Sequence, residues 1–380
     1  MHIGIDATFL PRDHRGMGMV LRNFLQGWQN LKPDKEHKLT FLTFKPKLLE
    51  GIKAECAGLG DCLTFAQAPG DLDVCWYPWD RVDVLMPCAR VLTMHDALLW
   101  EEDLGRKKYR DWPKIMPQLD RVATVSQFVK DRLLKTLGDP QNKAVVCHNP
   151  VNEAYLKSSQ RPELFSEAKR REFLAKYTDS QPFVLFVGNA AEKRKNLLGL
   201  MKAVMKLGAD YPHKILAVGP KPDLKIPFLK KLFPDAESEY RRELGELLRE
   251  RPQLVCFSGE IPLTELMAYC YCDAFAACSS HETFFLPLIE AMACSALCIS
   301  SRDACLCETG GDVPLYYDPN TPENMAEALG RALQLTQTKD AAEKIREAGR
   351  ARAALFSPTL HARNMLKIFG EAVEAHKKQA

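Results

Sequence analysis

Two successive series of short apolar runs, rich in β-branched and aromatic residues, alternate with stretches of helical periodicity along this chain. That alternation constrains the fold more than any other feature. A parallel strand is reached only through a crossover, and helices are the usual crossover, so the pattern predicts α/β architecture with parallel sheets. In the first series, strands are predicted near Ile3–Ala7, Leu39–Phe44, Val74–Tyr77, Arg90–Met94, Arg121–Val125 and Ala144–His148, with helices at Met17–Leu31 and Phe128–Leu137. Glu153 to Ser180 is charged and weakly apolar and reads as the passage between domains. The second series predicts strands at Phe183–Val187, Lys214–Val218, Val255–Ser258, Ala274–Cys278, Cys298–Ser300 and Leu315–Tyr317. Its helices fit Asn196–Leu207, Ser238–Glu250, Leu263–Tyr271, Pro287–Ala293, Pro322–Leu335 and Ala341–Leu355. A last helix, Leu360–Lys377, follows Pro358. A length of 380 residues accommodates two domains, read as 1–165 and 166–359, with 360–380 as the terminal helix.

The hydrophobic share of 46% and charged share of 27% are those of ordinary globular protein. A formal charge of +3 is too small to point to nucleic acid. Met1 leads straight into a strand pattern, and no apolar run is long enough to span a bilayer. The 13 cysteines are odd in number and often sit in apolar strands, as at Cys147, Cys256 and Cys278. A reducing cytoplasm is the expected setting. Cys270/Cys272 and Cys305/Cys307 form Cys-x-Cys pairs, but their spacing is not that of a zinc ribbon, and no metal is expected.

Several constellations carry chemistry. Glu282 and Glu290 flank the run Thr283-Phe284-Phe285-Leu286-Pro287, where a loop is expected to enter a helix near Pro287, with Glu290 in its first turn. Such a junction presents free N–H groups and a positive helix end suited to phosphate, with carboxylates at hand for sugar hydroxyls. Gly188-Asn189-Ala190-Ala191-Glu192-Lys193-Arg194-Lys195-Asn196 follows a strand and opens a helix. Cations at a helix start oppose its dipole unless an anion is bound. The Gly16-Met17-Gly18-Met19 turn allows close backbone approach, but it is a broken dinucleotide fingerprint lacking the third glycine. Thr93-Met94-His95-Asp96 ends a central strand, where open α/β sheets bind ligands; Asp96 is a candidate to orient a ligand beside His95. Ser126 reads as a helix cap and Asn149 as a turn residue.

Ser258-Gly259-Glu260-Ile261-Pro262 forms a turn. Arg302 and Glu308 fall in a loop after the Cys298–Ser300 strand. Asp71-Leu72-Asp73 precedes a strand and reads as a solvated turn, not as a metal–nucleotide motif. The basic, aromatic stretch Gly105–Trp112 and the Lys225/Lys230/Lys231 region within Leu224–Phe233 are candidate surfaces for an anionic membrane or a phosphorylated acceptor.

These landmarks, in this order, resemble retaining glycosyltransferases of family 4, whose hallmark is Glu-x7-Glu. The usual form there is Glu-Gly-Phe-Gly-Leu-Pro; Thr283 and Phe285 stand in place of both glycines, a change expected either to narrow the donor pocket or to alter which sugar fits. The resemblance covers nearly the whole chain. It implies a GT-B fold, with two Rossmann-like domains facing a cleft and the C-terminal helix crossing back to the N-terminal domain. It further implies transfer of a hexosyl group, with retention, from a nucleotide-diphosphate sugar to a hydroxyl of a glycan or lipid-linked acceptor, without metal or other cofactor. By the same resemblance the N-terminal domain takes the acceptor and the C-terminal domain the donor. Catalytic roles fall to His95, Glu282, Arg194 and Lys195, and donor contacts to Gly16, Gly18, Gly188, Asn189, Ile261, Thr283, Phe284, Phe285, Leu286 and Glu290. The basic loop is similar to those of bacterial mannosyltransferases, which favours GDP-mannose over UDP-linked sugars. A nucleotide-sugar epimerase or hydrolase, or a degenerate member that binds without turnover, is the alternative. The expected setting is cytoplasmic, with peripheral contact at the membrane face.

Overall fold

The computed structural model describes residues 1–14, 16–32, 37–96, 112–139, 141–161, 166–208, 211–225, 235–261, 268–319 and 321–378. The chain divides into two compact units, Met1–Glu153 with Phe356–Ala380, and Ala154–Leu355. Each holds one wholly parallel sheet.

In the first unit the strands are β1 (His2–Asp6), β2 (Lys38–Thr43), β3 (Asp61–Thr64), β4 (Val74–Tyr77), β5 (Ala89–Met94), β6 (Arg121–Thr124) and β7 (Ala144–Val146). Their spatial order is β3-β2-β1-β4-β5-β6-β7. The central strands are covered on both faces and so read as unbroken apolar runs; all four residues of β4 are buried. Trp76 on β4 packs edge-on against Phe24 of the Gly16–Leu31 helix and lies near Phe369 of the Pro358–Lys377 helix. Its indole N–H donates to Thr93 Oγ1 at 2.8 Å, so the buried ring leaves no orphan donor.

The C-terminal helix thus belongs to the first core. Ser357 caps it, its Oγ accepting from the Leu360 N–H, and Pro358 occupies its first turn. Its start crosses the Gly16–Leu31 helix at Gly27, where a Cβ would stand 1.9 Å from the Pro358 carbonyl oxygen. Val151 N–H donates to the Phe356 carbonyl at 2.9 Å, tying the returning chain to the end of the first series.

The second unit holds β8 (Phe183–Val187), β9 (Lys214–Val218), β10 (Val255–Gly259), β11 (Ala274–Ala277), β12 (Cys298–Ser301) and β13 (Leu315–Tyr317), in the order β10-β9-β8-β11-β12-β13. The helices Leu197–Leu207 and Pro322–Leu335 pack together over a core that includes Met201, Leu329 and Ala276. The helix Leu286–Ala293 packs on Lys339–Ala354.

Several elements differ from expectation. The helix Glu167–Tyr177 lies in the charged passage, burying only Phe173 and Leu174, which is too little for a periodic signal. A further helix, Ala304–Gly310, replaces the expected loop, so Glu308 is helical. Of the expected Leu263–Tyr271 helix, Ala268–Tyr271 is described and 262–267 lie outside the described residues. Residues 105–111 and 226–234 also lie outside them, so most of both candidate anionic-surface segments goes undescribed; Trp112 is buried, and Leu224 packs against the second core. Asp71 and Asp73 bind the first strand: Asp73 Oδ2 accepts from the His2 N–H at 2.7 Å, and Asp71 Oδ1 lies 3.1 Å from His2 Nδ1. Among the described residues no helix is long and apolar enough to cross a membrane.

Two glycines should respond oppositely to alanine. Gly27→Ala forces two helices apart and is expected to destabilise the chain by about 1–3 kcal/mol. Gly370→Ala meets nothing within 4 Å in the C-terminal helix and should stabilise by up to about 1 kcal/mol. Urea unfolding of the two variants checks both signs.

Candidate active site

The second sheet reverses its strand order between β8 and β11. Ligands of open α/β sheets bind outside the carboxyl ends of strands at such a reversal. Two loops emerge there: 188–196 after β8, and 278–285 after β11. The Ser280 N–H donates to the Arg194 carbonyl at 2.8 Å, joining them.

The first loop is built by its own polar side chains. Asn189 Oδ1 accepts from the Ala191 N–H at 3.1 Å, and its Nδ2 donates to Glu192 Oε1 at 3.1 Å, so Asn189 shapes the turn. Lys193–Lys195 form one 3-10 turn. Asn196 then takes a left-handed conformation (φ 57°, ψ 42°), and its Oδ1 caps the next helix by accepting from the Gly199 N–H. Gly188 has φ +150°, and a Cβ there would press to 3.3 Å from Lys195 Cδ, so the glycine makes room for the lysine stem.

Arg194 and Lys195 converge on Glu282. Lys195 Nζ lies 2.5 Å and Arg194 Nη1 3.2 Å from Glu282 Oε1. Arg194 also pairs with Glu192 Oε2 at 2.8 Å and donates to the His281 carbonyl at 3.3 Å. The two cations are not equivalent: the Lys195 side chain is 12% exposed and that of Arg194 46%. Burial holds the Lys195 ammonium below its ordinary range, and Glu282 works against that shift.

The second loop ends at Phe285, which is left-handed (φ 60°, ψ 68°) and precedes the Leu286–Ala293 helix without a side-chain cap. Left-handed backbone costs a β-carbon residue about 1–2 kcal/mol. The ring offsets this: it is buried, stacks on Phe275 at 6.4 Å, and lies under Lys195 Nζ at 4.7 Å. Burial of such a ring contributes about 1.5–3 kcal/mol. Phe284 is buried, while Thr283, Leu286 and Pro287 are half-buried, with Pro287 in the first turn.

Because the helix begins at Leu286, Glu290 lies in its second turn, not its first. Its Oε2 accepts from the hydroxyl of the fully buried Tyr269 at 2.8 Å. Burial pushes the Glu290 carboxyl up to about 7, against the lowering effect of Tyr269. Tyr269 carries no sequence signal as a site residue, and only the fold brings it to Glu290, whereas Glu192 lies in the basic run two residues from its partner Arg194. Ile261, buried, follows β10, whose Gly259 carbonyl accepts from the Gly219 N–H at 3.0 Å. Arg302 places its guanidinium over the Tyr316 ring at 5.4 Å. Among the described residues no three His, Cys, Asp or Glu side chains converge as a metal site.

The first sheet has its own reversal, between β1 and β4. Asp6, at the end of β1, is 1% exposed; its Oδ1 accepts from the Thr8 N–H at 3.0 Å, its Oδ2 has no hydrogen-bond partner among the described residues, and burial pushes it up to about 6. His95 follows β5. Its ring Nε2 lies 3.0 Å from the Pro78 carbonyl, an acceptor only, so Nε2 carries the proton and Nδ1 the lone pair. Asp80 Oδ1 accepts from the His95 N–H at 2.6 Å, so Asp80, which sequence reasoning passed over, fixes this strand end. Burial lowers the imidazole to about 4, leaving it neutral near pH 7. Gly16 opens its helix, and Gly18 lies in the first turn, its N–H donating to Asp13 Oδ2 at 3.0 Å. Ser126 caps the Gln127–Leu137 helix as expected, whereas Asn149 is buried with its Oδ1 unpartnered among the described residues.

Residues 167–352 match the family model for glycosyl transferases group 1. The second unit is a group 1 glycosyltransferase domain. The chain is 26% identical over 253 residues to the O-antigen chain mannosyltransferase B of Escherichia coli, covering 64% of this chain and 61% of that relative. It is 24% identical over 279 residues to a serotype-specific mannosyltransferase of Escherichia coli, covering 71% of this chain and 32% of that protein. The chain therefore spans less than two thirds of both relatives. Among solved structures, a glycosyltransferase from Rickettsia africae superposes with TM-score 0.68 at 18% identity, covering 98% of both chains. Anabaena HepE, in complex with UDP and glucose, gives 0.66 at 14% identity, covering 97% of this chain and 98% of that one. The fold is thus that of GT-B glycosyltransferases, two Rossmann-like parallel-sheet domains.

The Glu290 environment predicts a pH dependence. An acid whose folded pKa lies above its unfolded value binds its proton more tightly when folded. Its stabilising effect is full below about 4.5 and is lost as pH rises through about 7. Between pH 5 and 8 the chain should lose about 1–3 kcal/mol through this group. Glu290→Gln keeps an acceptor for Tyr269 without the charge, so urea unfolding at the two pH values should show a smaller loss in that variant.

Proposed function

We propose that this chain is a retaining glycosyltransferase of family 4 that transfers a hexosyl group, mannose in particular, from a nucleotide-diphosphate sugar to a glycan or lipid-linked hydroxyl. The observation that carries this reading is the convergence of Lys195, Arg194 and Glu282 at the β8/β11 reversal of a group 1 domain. The mannosyltransferase relatives favour mannose, and hence GDP-mannose as donor.

On this reading the departing diphosphate accumulates charge as the bond to the anomeric carbon breaks. Arg194 and Lys195 neutralise that charge, which allows the reaction to run without a divalent metal. Two cations already fixed in place need no reorganisation when the charge develops. Glu282 accepts from donor-sugar hydroxyls, and Glu290, at its place in the helix, accepts from the ribose. His95, neutral and with an unprotonated Nδ1, accepts a hydrogen bond from a substrate hydroxyl. The acceptor hydroxyl attacks from the face the diphosphate leaves, its proton passing to the departing phosphate oxygen, so configuration is retained.

Calorimetric titration with GDP, UDP and ADP, with and without EDTA, tests donor class. Binding of GDP that survives EDTA is expected. With the matching sugar donor, Lys195→Ala should reduce kcat/KM by about 100-fold, the scale for removing one donor from a developing anion. The more exposed Arg194 should cost less. Full activity in Lys195→Ala would refute this assignment.

A further inference from the structure

Phe285 sits in a strained backbone region with no glycine to relieve it, and strain of this kind persists only where the surroundings hold it. Three contacts surround its neighbour Lys195. The lysine stem lies along Gly188, whose missing Cβ leaves the space. Glu282 Oε1 meets the ammonium at 2.5 Å. The Phe285 ring lies 4.7 Å from Nζ, and its other support is the Phe275 ring at 6.4 Å and an interplanar angle of 26°. The left-handed turn aims the ring under the ammonium while the ring stays buried.

Resting on the reading that this site neutralises a diphosphate, we infer that Phe285 is a positioning residue, whose ring face holds the Lys195 ammonium in place beside Glu282. The ring does this in two ways that pull the lysine titration in opposite directions. As bulk it excludes water, which disfavours the charged amine; as a π-face it attracts the cation directly. The other charged groups acting on Lys195 are Glu282 and Glu192, which favour its charge, and Arg194, which opposes it.

The opposing effects give a signature that simple core filling lacks. In Phe285→Leu, bulk and burial remain and the π-face is lost, so the Lys195 pKa should fall by about 0.5. In Phe285→Gly, water enters and the backbone strain is relieved, so the pKa should rise toward 10.5. Phe285→Tyr keeps the π-face and should restore the starting value. The titration is read by NMR on lysine-labelled full-length protein, with Lys195→Arg assigning the resonance. The glycine variant is free of the left-handed strain, so its folding guards against a null result from an unfolded leucine variant.

A fall in Leu with a rise in Gly and recovery in Tyr supports the inference. An unmoved pKa in folded Leu, or equal shifts in Leu and Gly, overturns it. GDP and UDP titrations on the same proteins keep the two readings apart. If wild type binds neither nucleotide, the diphosphate reading fails, and with it the functional purpose assigned to the ring, even where the pKa pattern holds. Nucleotide binding with an unmoved leucine-variant pKa overturns the inference alone.

Discussion

The ion pair between Lys195 and Glu282 joins chain segments 87 residues apart, and the site is organised around it. Taking two charges out of water costs several kcal/mol each, so such a pair stands only where geometry is good and further partners are present. Arg194 is that further partner, donating to the same carboxylate oxygen. The sheet makes the meeting possible: β8 and β11 are parallel neighbours, so the loops that follow them leave from the same edge. Removing Glu282 would leave the Lys195 ammonium without its carboxylate in a confined space, which costs more than the pair itself gains.

Both helices beside this pair start from a left-handed residue that is not glycine: Asn196 before Leu197–Leu207, and Phe285 before Leu286–Ala293. The two starts differ in kind. Asparagine enters this region readily and also supplies the cap, its Oδ1 accepting from Gly199. Phenylalanine supplies no cap and carries the full steric cost. The first loop is therefore stabilised by local hydrogen bonds, and the second by tertiary contacts from Phe275 and Lys195. The second loop thus depends on the core beneath it for its shape, a difference that bears on which loop a core mutation would disturb.

What could be read from sequence follows the same division. The strands β4, β8 and β11 were legible because burial on both faces makes them continuous apolar runs. β3 was not, because Asp61–Thr64 lies at the sheet edge and carries no fully buried residue. The Ala304–Gly310 helix was hidden by its composition, being short and cysteine-rich. Arg194, Lys195 and Glu282 were legible as candidates because the basic run after β8 and the Glu-x7-Glu spacing mark them in the sequence itself, before any contact between the two loops is known. Tyr269 and Asp80 were not, since their partners Glu290 and His95 lie 21 and 15 residues away and meet them only in the folded register. The placement of Glu290 failed for one local reason: the left-handed Phe285 starts the helix at Leu286, which moves the glutamate beyond the first turn.

That displacement separates two carboxylates that look alike in sequence. Glu282 faces two cations and accepts from both of them through Oε1. Glu290 faces a phenol and buried surface, and is raised to about 7. Two acids in different surroundings can serve different tasks in one site. A carboxylate set between two cations holds them in place while it accepts their hydrogen bonds. A carboxyl poised near neutrality can accept as an anion or donate as an acid, and Tyr269 is the group that tilts it toward the anion. The spacing of the two glutamates therefore says where they attach to the chain, and the helix start and the burial beneath it set how each behaves.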